Sequence, residues 1–441
     1  MTEPRAQTPP AAPEPSSPAP RSTTLWVSSV YFAEGLPYMI VRILSAVYFT
    51  DIGVKERFIG YLNFLGIPWN LKFLWAPLLD ILGTKRRWLV AMQLLLGILT
   101  AALALVTGLI PAGADPTGYL IAIAGIFVAM AFLSATNDVA IDGYYQEGLT
   151  QRGDQAAYSG FRVMAFRGAM IYARSGLVAV VAIAASRLGG ADRYAPWIWG
   201  FGAGAATLLA LSLAHGLWLP RFEVERTRGS LDEVARGFVR AFSSYLRQER
   251  VVLVLIFIAV YKLGDEILFS MATPFLMREL GITKAQYSWV GGIVGAVGMV
   301  AGAMIGGWWI KRSGLKRAIW PMTILMNFNI WAYVWLAWSK PDPTRTPGIA
   351  VIALVHGYEQ FAAGIGSAAL LIYLLRTCKP DFRAAHYAIG SGIMSLGSTV
   401  VGGFGGRFVE AAGYLNLFIL AFFASLPSML LLLFVPLDDE P

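Results

Sequence analysis

The sequence predicts an all-α polytopic membrane protein with about twelve transmembrane helices, arranged as two six-helix halves. Three observations support this fold class. Hydrophobic residues make up 56% of the 441 residues and charged residues only 14%, whereas soluble proteins carry about a quarter charged residues. Apolar windows long enough to cross a bilayer recur along the chain. A short motif of the first half returns in the second half at a constant offset.

Twelve windows predict the transmembrane spans. They cover residues 25–50, 57–82, 88–110, 119–144, 157–186, 194–219, 251–277, 285–310, 316–338, 348–376, 384–410 and 413–436. Proline, glycine or charge interrupts the second, fifth and tenth windows. The predicted domains are a disordered tail (1–24), a six-helix bundle (25–219), an amphipathic linker (220–250) and a second six-helix bundle (251–436).

The basic residues of the loops predict the orientation. Alternate loops, counted with the N-terminal tail, contain twenty Lys and Arg residues on one side and nine on the other. Cytoplasmic loops of membrane proteins are enriched in Lys and Arg. We therefore expect a protein of the inner membrane whose two termini and linker face the cytoplasm. The tail lacks the apolar core of a signal peptide. The net charge of +8 is spread over these loops, so it does not indicate nucleic-acid binding.

The linker contains a predicted helix that begins with a capping box, Ser230-Leu-Asp-Glu233. Apolar residues follow on one face and arginines elsewhere, which favours a helix lying on the membrane surface. A solvated linker helix is the alternative.

The residue inventory argues against an enzyme or a cofactor protein. Cys378 is the only cysteine, and none of the three histidines has metal-site spacing with another. The chain contains no Walker A, HExxH or GxSxG sequence. We therefore expect no cofactor, no metal, no disulfide and no ATP-driven pumping.

The recurring motif lies after the second and eighth spans. Asp80, Gly83, Lys85 and Arg86 match Lys311, Gly314, Lys316 and Arg317 at an offset of 231, which also relates Glu34 to Asp265. Asp80 can accept hydrogen bonds from basic groups, and Gly83 allows a tight turn. The four residues Asp80, Gly83, Lys85 and Arg86 could thus form a conformational lock. A plain positive-inside loop is the alternative.

This loop resembles the signature of the major facilitator superfamily. Further stretches resemble its peptide/acetyl-CoA transporter family, which includes AmpG-type muropeptide permeases. They are Trp69-Asn-Leu-Lys-Phe-Leu-Trp-Ala-Pro-Leu-Leu-Asp80, Ala135-Thr-Asn-Asp-Val-Ala-Ile-Asp-Gly143, Tyr261-Lys-Leu-Gly-Asp265 and Tyr358-Glu-Gln-Phe-Ala-Ala-Gly-Ile-Gly366. The resemblance is closest to the AmpG type and covers nearly all of the chain after the tail. Glu34, where the AmpG type has a small residue, and Asn137, where the family has Gln, depart from the pattern.

Charged residues within the spans predict a polar cavity, because burying them in lipid costs several kcal/mol. Twelve of the charged residues in these spans are considered for the cavity, and they are the bases Arg42, Lys72, Arg162, Arg167, Arg174 and Lys262 and the acids Glu34, Asp138, Asp142, Asp265, Glu266 and Glu359. For binding an anionic substrate we select Arg167, with Lys72, Arg174, Asp138 and Asp142 as further candidates, because an Arg fork binds carboxylate or phosphate through two parallel hydrogen bonds. For proton coupling we select Asp265 and Glu359, with Glu34 and Lys262. Each of these residues has a structural ion pair as its alternative.

Glycines repeat along two spans, with Gly298, Gly302 and Gly306 on the eighth and Gly390, Gly392, Gly397, Gly402 and Gly406 on the eleventh. Small residues let helices approach closely, either for sliding between states or for static packing.

The resemblance implies a solute carrier that works by alternating access, most simply a proton-coupled importer of muropeptides. We expect a monomer in the inner membrane with a small-molecule substrate, protons and lipid as its partners. Another anion, such as acetyl-CoA or a siderophore, and a membrane sensor without transport are the alternatives.

Overall fold

The structure is a computed structural model that describes residues 22–111, 113, 115–189, 192–222, 231–379 and 383–437. These residues form helices and connecting segments, and no strand occurs among them. The predicted all-α fold with two six-helix halves is confirmed. Residues 1–21 of the predicted tail and 223–230 of the linker, including the capping serine, lie outside the described residues.

The first half contains α1 to α6. Their bounds are 22–51 for α1, 56–81 for α2, Lys85–Gly108 for α3, Thr117–Gly148 for α4, 152–187 for α5 and Ala195–Trp218 for α6. The linker helix α7 spans Leu231–Leu246. The second half contains α8 at 251–279, α9 at Lys284–Ser313, α10 at 315–339, α11 at Thr346–Arg376, α12 at 383–412 and α13 at 414–431.

Eight helical stretches of the described residues are long and apolar enough to cross a membrane, judged by length and composition. One of them contains both α12 and α13, which Gly413 separates with a φ of 81°. Apart from the linker helix α7, the remaining helices are α2, α8 and α10, and each of these is interrupted. In α2, short 3₁₀ segments at Leu62–Gly66 and Lys72–Leu74 flank a turn that contains Pro68, whose missing N–H weakens the helix.

Equivalent helices of the two halves share an irregularity. Pro37 lies inside α1 just before a π-helical segment, Ile40–Leu44, and Pro274 lies in α8 directly before another, Phe275–Glu279. A proline interrupts the hydrogen-bond ladder, and the wider π turn accommodates the displaced carbonyl groups. Such a combination can bend a helix, and in both α1 and α8 it lies in the C-terminal half of the helix.

The loop repeat has the same backbone in both halves. Gly83 has a φ of 77° and Gly314 a φ of 76°, a left-handed conformation that favours glycine. Each glycine allows the chain to turn into the next helix, so the offset of 231 reflects a structural repeat.

Candidate functional site

A central cavity of about 390 Å³ lies between the two halves. Its walls come from α1, α2 and α5 of the first half and from α8, α9, α11 and α12 of the second. The charged residues of the wall are Arg42, Arg167, Arg174, Lys262, Asp265 and Glu266. Four bases against two acids give this cavity a surplus of positive charge.

Three arginines of the cavity have no acidic side chain within ion-pair distance among the described residues. Arg42 donates to the carbonyl oxygens of Leu62 and Asn63, with the Asn63 bond at 2.8 Å. The Arg167 guanidinium donates to the sulfur of Met170, at 3.7 Å, and to no other group in the described part of the chain. Arg174 is buried, and its Nε has no partner. These guanidinium groups are therefore available to an anion that enters the cavity.

Lys262 and its acidic neighbours form the opposite wall. Lys262 lies between the α-helical segments of α8, where its Nζ is 3.1 Å from Asp265 and 3.7 Å from Glu266. Behind them Glu359 is fully buried and accepts a hydrogen bond from Gln360, which itself lines the cavity. The structure thus brings three of the four predicted proton-coupling residues to one side of the cavity.

A second cavity of about 290 Å³ adjoins the first and shares Lys262, Glu266, Ser395 and Ser398 with it. Its remaining wall is mainly apolar and includes Leu371. The two cavities together offer a polar, positively charged region next to an apolar one.

The remaining predicted site residues form a separate group in the first half. Lys72 of α2 contacts Asp138 of α4, and Arg162 of α5 lies 2.8 Å from Asp142. Glu34 of α1 is buried beside them and is outside the central cavity wall. The predicted substrate ligands Lys72, Asp138 and Asp142 therefore lie apart from Arg167 and Arg174. Glu34 and Asp265 are equivalent in the sequence repeat but have different surroundings.

The halves bind each other at one end of the cavity, where α1 ends and α2 begins; we call it the closed end. Arg278 of α8 lies 2.9 Å from Glu56 and donates to three backbone carbonyl groups of the first half, those of Phe49, Thr50 and Val54. Lys284 of α9 lies 2.9 Å from Asp51. A peripheral pair joins Arg57 to Glu410 at 3.6 Å.

Glycines allow a close helix crossing at the closed end. A Cβ on Gly406 of α12 would overlap the carbonyl oxygen of Glu56, and a Cβ on Gly60 of α2 would lie 2.9 Å from the carbonyl oxygen of Gly403. On α9, by contrast, Gly302 faces the backbone of α11 at Phe361, within one half. The two predicted glycine faces thus have different surroundings, one between the halves and one inside a half.

At the opposite end, which we call the wide end, the side chains of the first-half cluster are partly exposed. The exposed fractions are 33% for Lys72, 32% for Asp142 and 40% for Arg162. Tyr387 of α12 faces Lys72 and Arg162 from the other half. The cluster therefore borders the space between the halves.

The predicted conformational lock lies at the wide end. The side chain of Asp80 lies outside the described residues. Lys85 begins α3 and is buried against Gly143, and Arg86 donates to the carbonyl groups at the end of α6, including that of Leu219. These contacts of Arg86 stay within the first half.

Sequence reasoning gave no role to the charged residues of the closed end. A signal was present, because the loop after the first span begins and ends with Asp51 and Glu56, whereas the corresponding loop of the second half contains Arg278 and Lys284. Equivalent loops of opposite charge can attract each other across the cavity. Arg42 was counted among the bases of the spans, but it was not assigned to substrate binding.

Comparison with known proteins agrees with this geometry. A model of the Major Facilitator Superfamily matches residues 255–441. The anhydromuropeptide permease of Escherichia coli (strain K12) is 28% identical over 421 residues, covering 94% of this chain and 79% of the permease. An uncharacterized protein of Haemophilus influenzae is 27% identical over 435 residues, covering 93% of each chain.

Among solved structures, a bacterial homologue of the human lysosomal transporter Spinster, in an inward-facing and unoccupied conformation, superposes with a TM-score of 0.71. It is 15% identical, and the match covers 94% of this chain and 97% of that one. A D-xylose–proton symporter superposes with a TM-score of 0.67 at 14% identity, covering 94% and 98%. These likenesses concern the fold.

Proposed function

Because this chain belongs to the major facilitator superfamily of membrane transporters, we propose that it imports an anionic muropeptide, such as an anhydromuropeptide, together with protons. The observation that carries this proposal is the set of three cavity arginines that have no acidic partner in the described ranges, Arg42, Arg167 and Arg174. Guanidinium groups bind carboxylates through paired hydrogen bonds, and a peptide stem supplies several carboxylates. The similarity to the Escherichia coli permease supports the same substrate class.

The two adjoining cavities suit a substrate with two chemical parts. The arginines would bind the carboxylates of the peptide, while Tyr38 and Trp69, whose rings meet edge to face at 4.9 Å, offer aromatic surface for a sugar ring. The apolar second cavity would accommodate the remaining bulk. Lys72, Asp138 and Asp142 would act when substrate passes the wide end.

The orientation proposed from the loop charges places the closed end outside and the wide end in the cytoplasm. The structure would then correspond to an inward-facing state, as in the Spinster homologue. Uptake requires the opposite state, in which the bonds of Arg278 and Lys284 are broken and the wide end closes. The segment around Asp80, Gly83, Lys85 and Arg86 would stabilise that closure.

Proton coupling would use the Lys262 group. In its ionised form Asp265 pairs with Lys262 at 3.1 Å, and protonation would release the base toward the substrate. Glu359, buried behind Gln360, would release a proton only with a compensating rearrangement, because a buried unpaired charge is costly. Proton binding would thus favour one arrangement of the halves.

Proteoliposomes with an imposed pH gradient test the proposal. Purified protein should accumulate labelled anhydromuropeptide, while parallel vesicles offered labelled acetyl-CoA should stay at background. Accumulation of acetyl-CoA instead would assign the cavity to another anion. Binding of muropeptide without any flux would identify a sensor and contradict the transport proposal.

A charge-conserving variant tests the arginine site. Arg167→Lys keeps the charge but loses the planar fork, so affinity for the muropeptide should fall about 10-fold or more in isothermal titration. Arg345→Lys is the matched control, because Arg345 is 81% exposed at the protein surface. Unchanged affinity in Arg167→Lys would remove Arg167 from the binding site.

A pair of carboxylate variants tests the coupling. Asp265→Asn and Glu359→Gln should abolish accumulation on the pH gradient, while counterflow exchange without a gradient should persist because the arginines are intact. Accumulation retained in both variants would place coupling elsewhere. Counterflow lost in both would instead make these carboxylates structural or substrate-binding.

A further inference from the structure

Five ionisable side chains from four helices meet in the first half, apart from the central cavity. They are Glu34 of α1, Lys72 of α2, Asp138 and Asp142 of α4, and Arg162 of α5. α1 and α4 are in direct contact here, because Asn137 donates a hydrogen bond to the carbonyl oxygen of Ala33, and this contact places Glu34 beside Asp138. The other pairings are Lys72 with Asp138 and Arg162 with Asp142.

Glu34 is the one member of this cluster that takes part in neither ion pair. Only 8% of its surface is exposed, and its Oε2 is buried without a partner among the described residues. No base in the described part of the chain lies within ion-pair distance of Glu34. Tyr31, the nearest hydroxyl on its own helix, donates to Asp142 at 2.9 Å instead.

Two carboxyl groups can form a hydrogen bond only when one of them carries a proton, because ionised carboxylates are acceptors alone. Two bases and three acids also leave one negative charge uncompensated in the fully ionised cluster. One bound proton removes both conflicts, since it supplies the missing donor and balances the charge.

We propose that the Glu34–Asp138 carboxyl pair is a proton-binding site of its own, separate from the Lys262 group of the second half. Its protonated form carries the hydrogen between the two carboxyl groups, with Lys72 fixing Asp138 from the other side. Among the described residues, the charged groups that act on Glu34 are Asp138 and Asp142 from α4, Lys72 from α2 and Arg162 from α5.

A physical consequence links this site to the wide end. Loss of the proton leaves an anion in the interior, which is stable only while water reaches the cluster past the partly exposed Lys72 and Arg162. Closing the wide end removes that water, so closure favours the protonated pair. As part of a transport cycle this step rests on the proposed function, but binding of the proton itself does not.

Infrared difference spectroscopy of the purified protein tests the site without any substrate. The carbonyl stretch of a protonated carboxyl group should weaken as the wild-type protein is titrated from mildly acidic to alkaline pH. Glu34→Gln and Asp138→Asn should each lose one component of that band. Glu359→Gln should keep this component, and Glu249→Gln, altered at a side chain that is 91% exposed, should match wild type.

The outcomes separate the two proposals. A wild-type spectrum without a titrating carboxyl band, or a Glu34→Gln spectrum identical to that of wild type, would overturn the carboxyl-pair site. If the band component disappears as expected while vesicles take up no anhydromuropeptide, the site stands and the proposed function fails. In vesicles that do transport, Glu34→Gln should lower the number of protons moved per substrate.

Discussion

The two ends of the central cavity differ in how the halves meet. At the closed end, Arg278 and Lys284 of the second half bind Glu56 and Asp51 of the first. At the wide end, the ion pairs around Lys72 belong to the first half alone. Bonds within a half can persist when the halves move, whereas bonds between halves must break. The closed end therefore contains the contacts whose strength sets the balance between the two states of a carrier.

The closed end also combines strong and weak contacts. Arg278 is three-quarters buried and makes several hydrogen bonds, whereas the Arg57–Glu410 pair lies at the periphery. Buried, charge-assisted bonds contribute more than exposed ion pairs. Removing these contacts one at a time, from the buried to the exposed ones, should shift the equilibrium between the closed and open forms of this end by decreasing amounts. Each such variant can be compared with a control variant whose contacts lie within one half.

Arg278→Ala should have the largest effect. It removes the ion pair with Glu56 and the bonds to three carbonyl groups, leaving these partly buried groups unpaired. We expect the closed end to lose about 3 kcal/mol, which is roughly a 100-fold shift toward its open form. Spin labels at Lys55 and Arg345, in a Cys378→Ser background, would report the change as a longer distance between the halves.

Lys340→Ala is the matched control for that variant. Lys340 contacts Glu279 at the same end of the molecule, but both residues belong to the second half. Its loss should leave the label distance unchanged. An equal shift in both variants would mean that general charge at this surface, not bonding between halves, keeps the end closed.

Gly406→Ala should have an intermediate effect. The added methyl would overlap the backbone of Glu56 across the interface, so the closed end must separate by a small distance. We expect a cost of about 1–3 kcal/mol to the closed state, with thermal stability near that of wild type. The same label pair measures the shift, and a thermal melt in detergent measures the stability.

Gly302→Ala distinguishes gating from static packing. Its added methyl would overlap the backbone of Phe361 inside the second half. It should therefore lower the melting temperature and leave the distance between the halves alone. Reversed results for the two glycines would exchange the roles assigned to the two glycine faces.

The fold was predictable because its signals are local. Span length, loop charge and the offset of 231 depend on composition and short spacing, and Gly83 with Gly314 shows the same turn in both halves. Asp138 and Asp142 were also selected from the sequence as charged residues of one span, and both lie on α4. Their sequence positions could not predict their partners, since Lys72 and Arg162 come from other helices.

The closed end was not predicted for a different physical reason. Arg278 and Glu56 are 222 positions apart, and their contact depends on which state of the carrier is populated. Charges in short loops are normally assigned to topology, so their pairing leaves no periodic pattern. Likewise, a role in proton coupling was predicted for Glu34 from its equivalence to Asp265. The structure instead places the Glu34 side chain beside Asp138.

Glu410→Gln should have the smallest effect. The Glu410 carboxylate lies 3.6 Å from Arg57 and accepts a hydrogen bond from the Arg57 backbone, but the two side chains are 28% and 41% exposed. Exposed pairs contribute about 1 kcal/mol or less, and a glutamine oxygen can still accept the backbone bond. The population of the open form, read from the label distances, should rise by at most about 5-fold. Added salt should reduce this change, because it screens the ion pair. A change as large as that of Arg278→Ala, or one that salt leaves unaltered, would show that the peripheral pair is as strong as the buried one. Contact strength at the closed end would then not decrease from buried to exposed pairs.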